Sequence, residues 1–199
     1  MKSRCPTARS NGPGARSCSH PAAERGVSEA NSEMMSGWPL LVLLVVFSGC
    51  GGPRVLSGFG DRLGPEGFLR TDGPHRGVDV GGPIGWPVLA AADGRVVLAR
   101  DNGDACGLIV ILAHRHGAET IYCHMSQVSV VASDEVRRGE QIGMIGTTGL
   151  RAGPGFEHVH WELRVNGVPE DPLPKTIGCF APSRTYSEDR LELTYPVKC

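Results

Sequence analysis

The sequence has no excess of either charge. Its formal net charge is −1 over 199 residues, and no basic patch interleaved with aromatics breaks that balance, so no nucleic-acid partner is expected. It has little capacity for long helices, because 28 Gly and 15 Pro punctuate the chain too often. It lacks an apolar run of bilayer-spanning length: Trp38 to Phe47 (WPLLVLLVVF) is a run of ten, half of what a membrane helix needs. There is no H-E-x-x-H helix, no G-x-S-x-G elbow and no phosphate-binding P-loop. What remains, with an apolar content of 40%, is enough for one globular domain with tails.

The short apolar stretches are separated by turn signals at Asn102-Gly103, His114 to Gly117, Val136 to Gly139 and Asn166-Gly167. They predict seven or more short strands. The expected fold is mainly β, an antiparallel β sandwich or a partly closed barrel. Within it, Trp86 to Ala92 and Arg95 to Arg100 read as a hairpin turning at Asp93-Gly94.

Two stretches carry the chemistry. In an extended His158-Val159-His160-Trp161-Glu162-Leu163, alternation sends His158, His160 and Glu162 to one face and Val159, Trp161 and Leu163 to the other. Upstream, His75-Arg76-Gly77-Val78-Asp79 places an imidazole and a carboxylate at i and i+4, on one face of an extended chain. Two histidines and an aspartate are the donor set of a catalytic zinc site that keeps a fourth position open. Glu162 shares the histidine face, where it either orients a ring or forms a rim salt bridge. Strict alternation would also put Tyr122 on the face of His124, as groove wall or packed aromatic, and would turn Cys123 away from His124. His114 and His116 read as solvated loop residues.

The chain resembles the lysostaphin-type (LytM-like) zinc metallopeptidases, whose signature is H-x-x-x-D followed some eighty residues later by H-x-H. The resemblance runs from about Gly58 to Pro174. It rests on Pro74 to Asp79, Pro87 to Gly94, Thr120 to His124, Arg138 to Gly143 and His158-Val159-His160, in that order. It implies that His75, Asp79 and His160 bind Zn2+, while His124 and His158 flank the attacking water as catalytic residues. It also implies hydrolysis of peptide bonds in peptidoglycan stem peptides or cross-bridges. The alternative is a non-catalytic regulator of a separate cell-wall amidase, and a binding module with structural zinc is a third reading. Where the family reads Ser/Thr-Gly-Pro-His, this chain inserts Gly155-Phe156-Glu157 before His158, lengthening a loop beside the groove.

Seven cysteines fall into groups. Cys5 and Cys18 lie in a polar leader, 1–33, read as disordered or as an upstream extension with initiation at Met34 or Met35. Residues 34–50 read as a signal peptide ending in Phe47-Ser48-Gly49-Cys50, which resembles a bacterial lipobox, so an exported, lipid-anchored envelope protein facing the periplasm is expected, with the membrane attachment through Cys50. Phe47 in place of Leu, and the missing charged n-region, depart from that pattern. The remaining four cysteines allow three pairings. Cys106 with Cys123, on neighbouring predicted strands, and Cys179 with Cys199, bracketing the tail, are the pairs expected, against four reduced thiols. The domain is expected over 71–174, after a linker at 51–70 and before a strap at 175–199.

Overall fold

The computed structural model describes residues 53–64, 69–71 and 73–199. Ten strands follow one another: β1 (Arg54–Ser57), β2 (Val78–Gly81), β3 (Pro87–Leu89), β4 (Gly94–Asp101), β5 (Leu108–Ala113), β6 (Ala118–Val128), β7 (Glu135–Val136), β8 (Gln141–Ile145), β9 (His158–Val165) and β10 (Val168–Glu170). Only two 3-10 turns, Arg115–Gly117 and Leu173–Lys175, interrupt them among the described residues. Every strand pairing is antiparallel. The main path runs β1-β2-β9-β6-β5-β4-β7 and does not close into a barrel. β1 falls within the stretch 51–70 and pairs with β2, so part of that stretch belongs to the sheet.

The long strand β6 organises the two layers. Its first half, Ala118 to Cys123, pairs with β9, and its end, Met125 to Val128, pairs with β8, which in turn pairs with β3. Between the layers lies a core to which β9 contributes Val159, Trp161 and Leu163, all fully buried. The alternation expected of β9 therefore holds, and each buried aliphatic side chain on that face stabilises the fold by about 1.5–3 kcal/mol. Asn166 and Gly167, both at positive φ, close the β9–β10 hairpin as the Asn-Gly pair predicts.

The expected hairpin at Asp93-Gly94 does not form. β3 pairs with β8, while β4 pairs with β5 and β7. The reason lies in Ala90, Ala91 and Ala92, which are small enough to be buried in the core. Their backbone is engaged elsewhere: Ala90 N–H donates to Glu140 O at 2.9 Å and Ala91 O accepts from Thr194 N–H at 2.9 Å. The chain thus crosses between layers where a tight turn was expected.

Residues 175–199 are woven into the same core. Leu193 and Val197 are buried within it, Val197 bridges to Val88, and a disulfide joins Cys179 to Cys199. A second disulfide joins Cys106 to Cys123. Both pairings are those expected from the sequence. No helix among the described residues is long and apolar enough to cross a membrane. Trp38 to Phe47 and Cys50 lie outside the described residues.

Candidate metal centre and groove

A groove of about 730 Å³ runs across the face of the sheet opposite the core, lined by His75, Asp79, His124, His158, His160 and both Cys106 and Cys123. Antiparallel register sets its centre, because Asp79 on β2 and Cys123 on β6 both lie directly opposite His160 on β9. The close approach of the chain before β2 depends on Gly77, where a Cβ would fall 2.4 Å from the Trp161 carbonyl oxygen. That is the physical use of glycine between His75 and Asp79.

His75 Nε2, His160 Nδ1 and Asp79 Oδ1 form a tight triangle. The two nitrogens are 2.9 Å apart, and they lie 3.1 and 2.8 Å from the carboxylate oxygen. Each imidazole has its outer nitrogen committed. His75 Nδ1–H donates to Gly58 O at 2.8 Å, and His160 Nε2–H donates to Glu162 Oε1 at 3.1 Å. With the outer nitrogens protonated, the inward ones can present lone pairs to a cation in place of the hydrogen bonds they share with Asp79 and each other, the tautomers a metal requires. Bonds of about 2.0–2.1 Å at a tetrahedral angle hold ligand atoms roughly 3.3 Å apart. An expansion of a few tenths of an ångström therefore fits zinc to the three donors.

His124 and His158 sit beside this triangle. His158 Nε2 is 3.6 Å from Asp79 Oδ1, its Nδ1–H donating to Phe156 O at 2.8 Å. His124 stacks edge-on to His158 with ring centroids 4.8 Å apart, and its Nδ1–H donates to Thr148 O at 2.9 Å. Four imidazoles thus share one plan, an outer N–H held by oxygen and the other ring nitrogen turned toward the centre around Asp79.

Electrostatics separate them. Burial pushes His124 down to about 4, helped by the neighbouring His158, and burial also lowers His158. His160 goes the other way: burial opposes its charge, but hydrogen bonds to Asp79 and Glu162 prevail and raise it. Burial alone would raise Asp79, yet the hydrogen bonds from His160 and His75 hold its carboxyl far below the usual range.

His124 reaches the groove against strict alternation. Its φ of 65° makes a bulge in β6, so that Cys123 and His124 both face the groove while Tyr122 and Met125 are buried in the core. Tyr122 is a packed aromatic, its hydroxyl accepting from Ala91 N–H at 2.9 Å, and not a groove wall beside His124. A left-handed conformation at a non-glycine residue costs about 1–2 kcal/mol and persists only where its surroundings fix it. His114 also departs from expectation: its ring is fixed by Asp93 O at 2.8 Å and Thr120 Oγ1 at 2.6 Å, and burial lowers its pKa. His116 is exposed in the turn, as expected.

Sequence reasoning missed Arg70. Its Nη2 donates to Asp79 Oδ2 at 3.3 Å and to Ser57 Oγ at 3.0 Å, so the carboxylate oxygen turned away from the triangle is held by a cation. The carbonyls of Gly58, Thr148 and Phe156 were missed as well, because a backbone acceptor leaves no mark in residue identity.

The profile of peptidase family M23 matches residues 73–172. This chain is a member of that family. Among its relatives is the DD-carboxypeptidase/endopeptidase Mpg of Neisseria meningitidis, 42% identical over 120 residues, which cover 60% of this chain and 26% of that protein. The M23 domain therefore matches about a quarter of that relative's length. Its fold is similar to the catalytic domain of the antimicrobial peptidase lysostaphin from Staphylococcus simulans, at a TM-score of 0.54 and 28% identity, covering 61% of this chain and 90% of that one. A zinc-containing peptidase from Vibrio cholerae is 32% identical at a TM-score of 0.51, covering 60% and 36%. In this M23 chain, the three-donor triangle is the group of His, Cys, Asp and Glu side chains able to hold a metal among the described residues.

Proposed function

We propose that this chain is a zinc-dependent endopeptidase that hydrolyses peptide bonds in peptidoglycan stem peptides or cross-bridges, working in the cell envelope and anchored there through Cys50. The observation that carries the reading is the set of four imidazoles turned inward around Asp79, each with its outer nitrogen committed to an oxygen acceptor. His75, Asp79 and His160 would hold Zn2+, which when bound supplies Lewis acidity to a water and to the scissile carbonyl. His124 and His158, kept neutral near pH 7 by burial, have Nε2 free to take the proton of the attacking water. Once protonated, the same nitrogen donates to the oxygen on which charge builds or to the departing amine. Arg70 stays on Asp79 Oδ2, leaving Oδ1 for the metal side.

Cross-linked sacculi incubated with the protein, with and without a chelator, test this reading. Stem peptides should be released only in the chelator-free sample, and activity should return on adding zinc. Tight zinc binding without cleavage, together with stimulation of a purified cell-wall amidase, would replace hydrolysis by the regulatory reading. For the anchor, Cys50→Ser should move the protein from the membrane to the soluble fraction.

A further inference from the structure

Two short loops meet behind His124. The loop before β5 gives its Cys106 carbonyl to the His124 backbone N–H at 2.9 Å, and the loop after β8 gives its Thr148 carbonyl to the ring Nδ1–H at 2.9 Å. The loops are fastened to one another. Leu150 N–H donates to Asp104 O at 3.1 Å, and Gly107 and Gly149 pass so closely that a Cβ on either would lie 2.4–2.5 Å from the other's backbone. Thr148 Oγ1 donates to Met125 O at 2.7 Å and accepts from Leu108 N–H at 3.0 Å. The Cys106–Cys123 disulfide closes this bracket covalently, joining the first loop to the residue that immediately precedes His124.

The bracket opposes a specific alternative. A β6 without its bulge would alternate regularly and send His124 to the side of Tyr122, out of the groove. His124 is the one non-glycine residue at positive φ that lines the groove among the described residues. Its left-handed backbone must be held from outside.

We propose that the Cys106–Cys123 disulfide is a positioning device for His124: it pins the bulge and the loop pair that supplies the ring's acceptor, and so keeps Nε2 of His124 aimed into the groove. The catalytic meaning of this rests on the proposed hydrolysis; the geometric claim does not. The Cys179–Cys199 bond provides an internal control, since it ties residues that do not line the groove.

The test uses the full chain carrying C179A and C199A, in which Cys106–Cys123 is the disulfide left among the described cysteines. A phosphine reductant added to this folded protein gives two electrons to the S–S bond and becomes the phosphine oxide, with water supplying its oxygen and the two protons of the resulting thiols. Ring-nitrogen NMR of the metal-free protein reads the His124 tautomer. The oxidised protein should show a single Nδ1–H form, and the reduced protein a mixture of both tautomers. With zinc restored, kcat on sacculi should fall at least tenfold on reduction while KM and zinc content stay unchanged. A C106A/C123A variant should reproduce the reduced behaviour. A single His124 tautomer that survives reduction would overturn the proposal and leave the disulfide a stabiliser of the fold alone. A tautomer change in a protein that never cleaves sacculi would instead uphold the positioning and remove the hydrolase.

Discussion

His160 and His124 have ring centroids 6.0 Å apart, yet the protein drives their proton affinities in opposite directions. His124 is buried and His160 partly so, and desolvation disfavours the charged form of each. The difference is the partner. His160 lies between two carboxylates, Asp79 and Glu162, whereas His124 offers its N–H to a neutral backbone carbonyl and faces His158. A carboxylate on the outer nitrogen makes a ring a better electron donor to a cation. A carbonyl on the outer nitrogen fixes the tautomer without adding charge, which suits a ring that must take up and give back a proton. The same residue type, a few ångströms apart, is thus prepared for two tasks by what stands behind it.

Breaking the comparison at His160 should have the largest effect. His160→Ala is expected to leave the folded protein with no bound zinc and with hydrolysis at background, as measured by elemental analysis and peptide release. His124→Ala should keep a full equivalent of zinc while kcat falls by about 10²–10⁴, the usual worth of a positioned acid–base group. If both substitutions removed the metal, the division of the four imidazoles into two pairs would be wrong.

A pH titration of metal-free protein stability separates the same two rings. His124 has its affinity lowered to about 4, so between that value and about 6.5 the unfolded chain binds a proton that the native state does not. Its contribution is complete above pH 6.5 and is lost as pH falls toward 4, amounting to about 3 kcal/mol at most. His160 is raised, and its contribution is present below about 6.5 and lost as pH rises through the folded value. Urea unfolding across pH should therefore show a limb on each side. His124→Gln should make the acidic limb shallower, His158 supplying the remainder, and His160→Gln should do the same to the alkaline one.

Which parts of this were legible beforehand follows the same division. The apolar and polar faces of β9 could be read from alternation, because a strand buried on one side must obey it, and Val159, Trp161 and Leu163 do. The donor triangle was legible because side chains carry it. The bulge at His124 was not, since nothing in Tyr122-Cys123-His124-Met125 announces a positive φ; the cause lies in the Cys106 and Thr148 carbonyls on distant loops. Arg70 escaped for a related reason. It stands in a Gly-, Pro- and Arg-rich stretch without periodicity, and its value comes from the oxygen of Asp79 that it meets across the fold. The Ala90-Ala91-Ala92 crossing was missed because a local turn signal at Asp93-Gly94 competed with burial, and burial prevailed.

The smallest of the expected effects is the sharpest, because it changes the partner and leaves the ring. Glu162 accepts from His160 Nε2 through Oε1, while its Oε2 takes two hydrogen bonds from Arg164 at 3.2 and 2.8 Å. The arginine orients the carboxylate and favours its charged form; burial opposes that charge, but the His160 and Arg164 contacts lower its pKa. Glu162→Gln keeps an oxygen for the His160 N–H but withdraws the charge, so zinc affinity should fall about tenfold, and Glu162→Ala, which frees the ring, should cost closer to a hundredfold. Competition with a chromophoric chelator reads both constants without reference to activity. The expected order is wild type, Gln, Ala; equal loss in the two variants would mean that orientation matters and charge does not, and the contrast between His160 and His124 would then reduce to geometry.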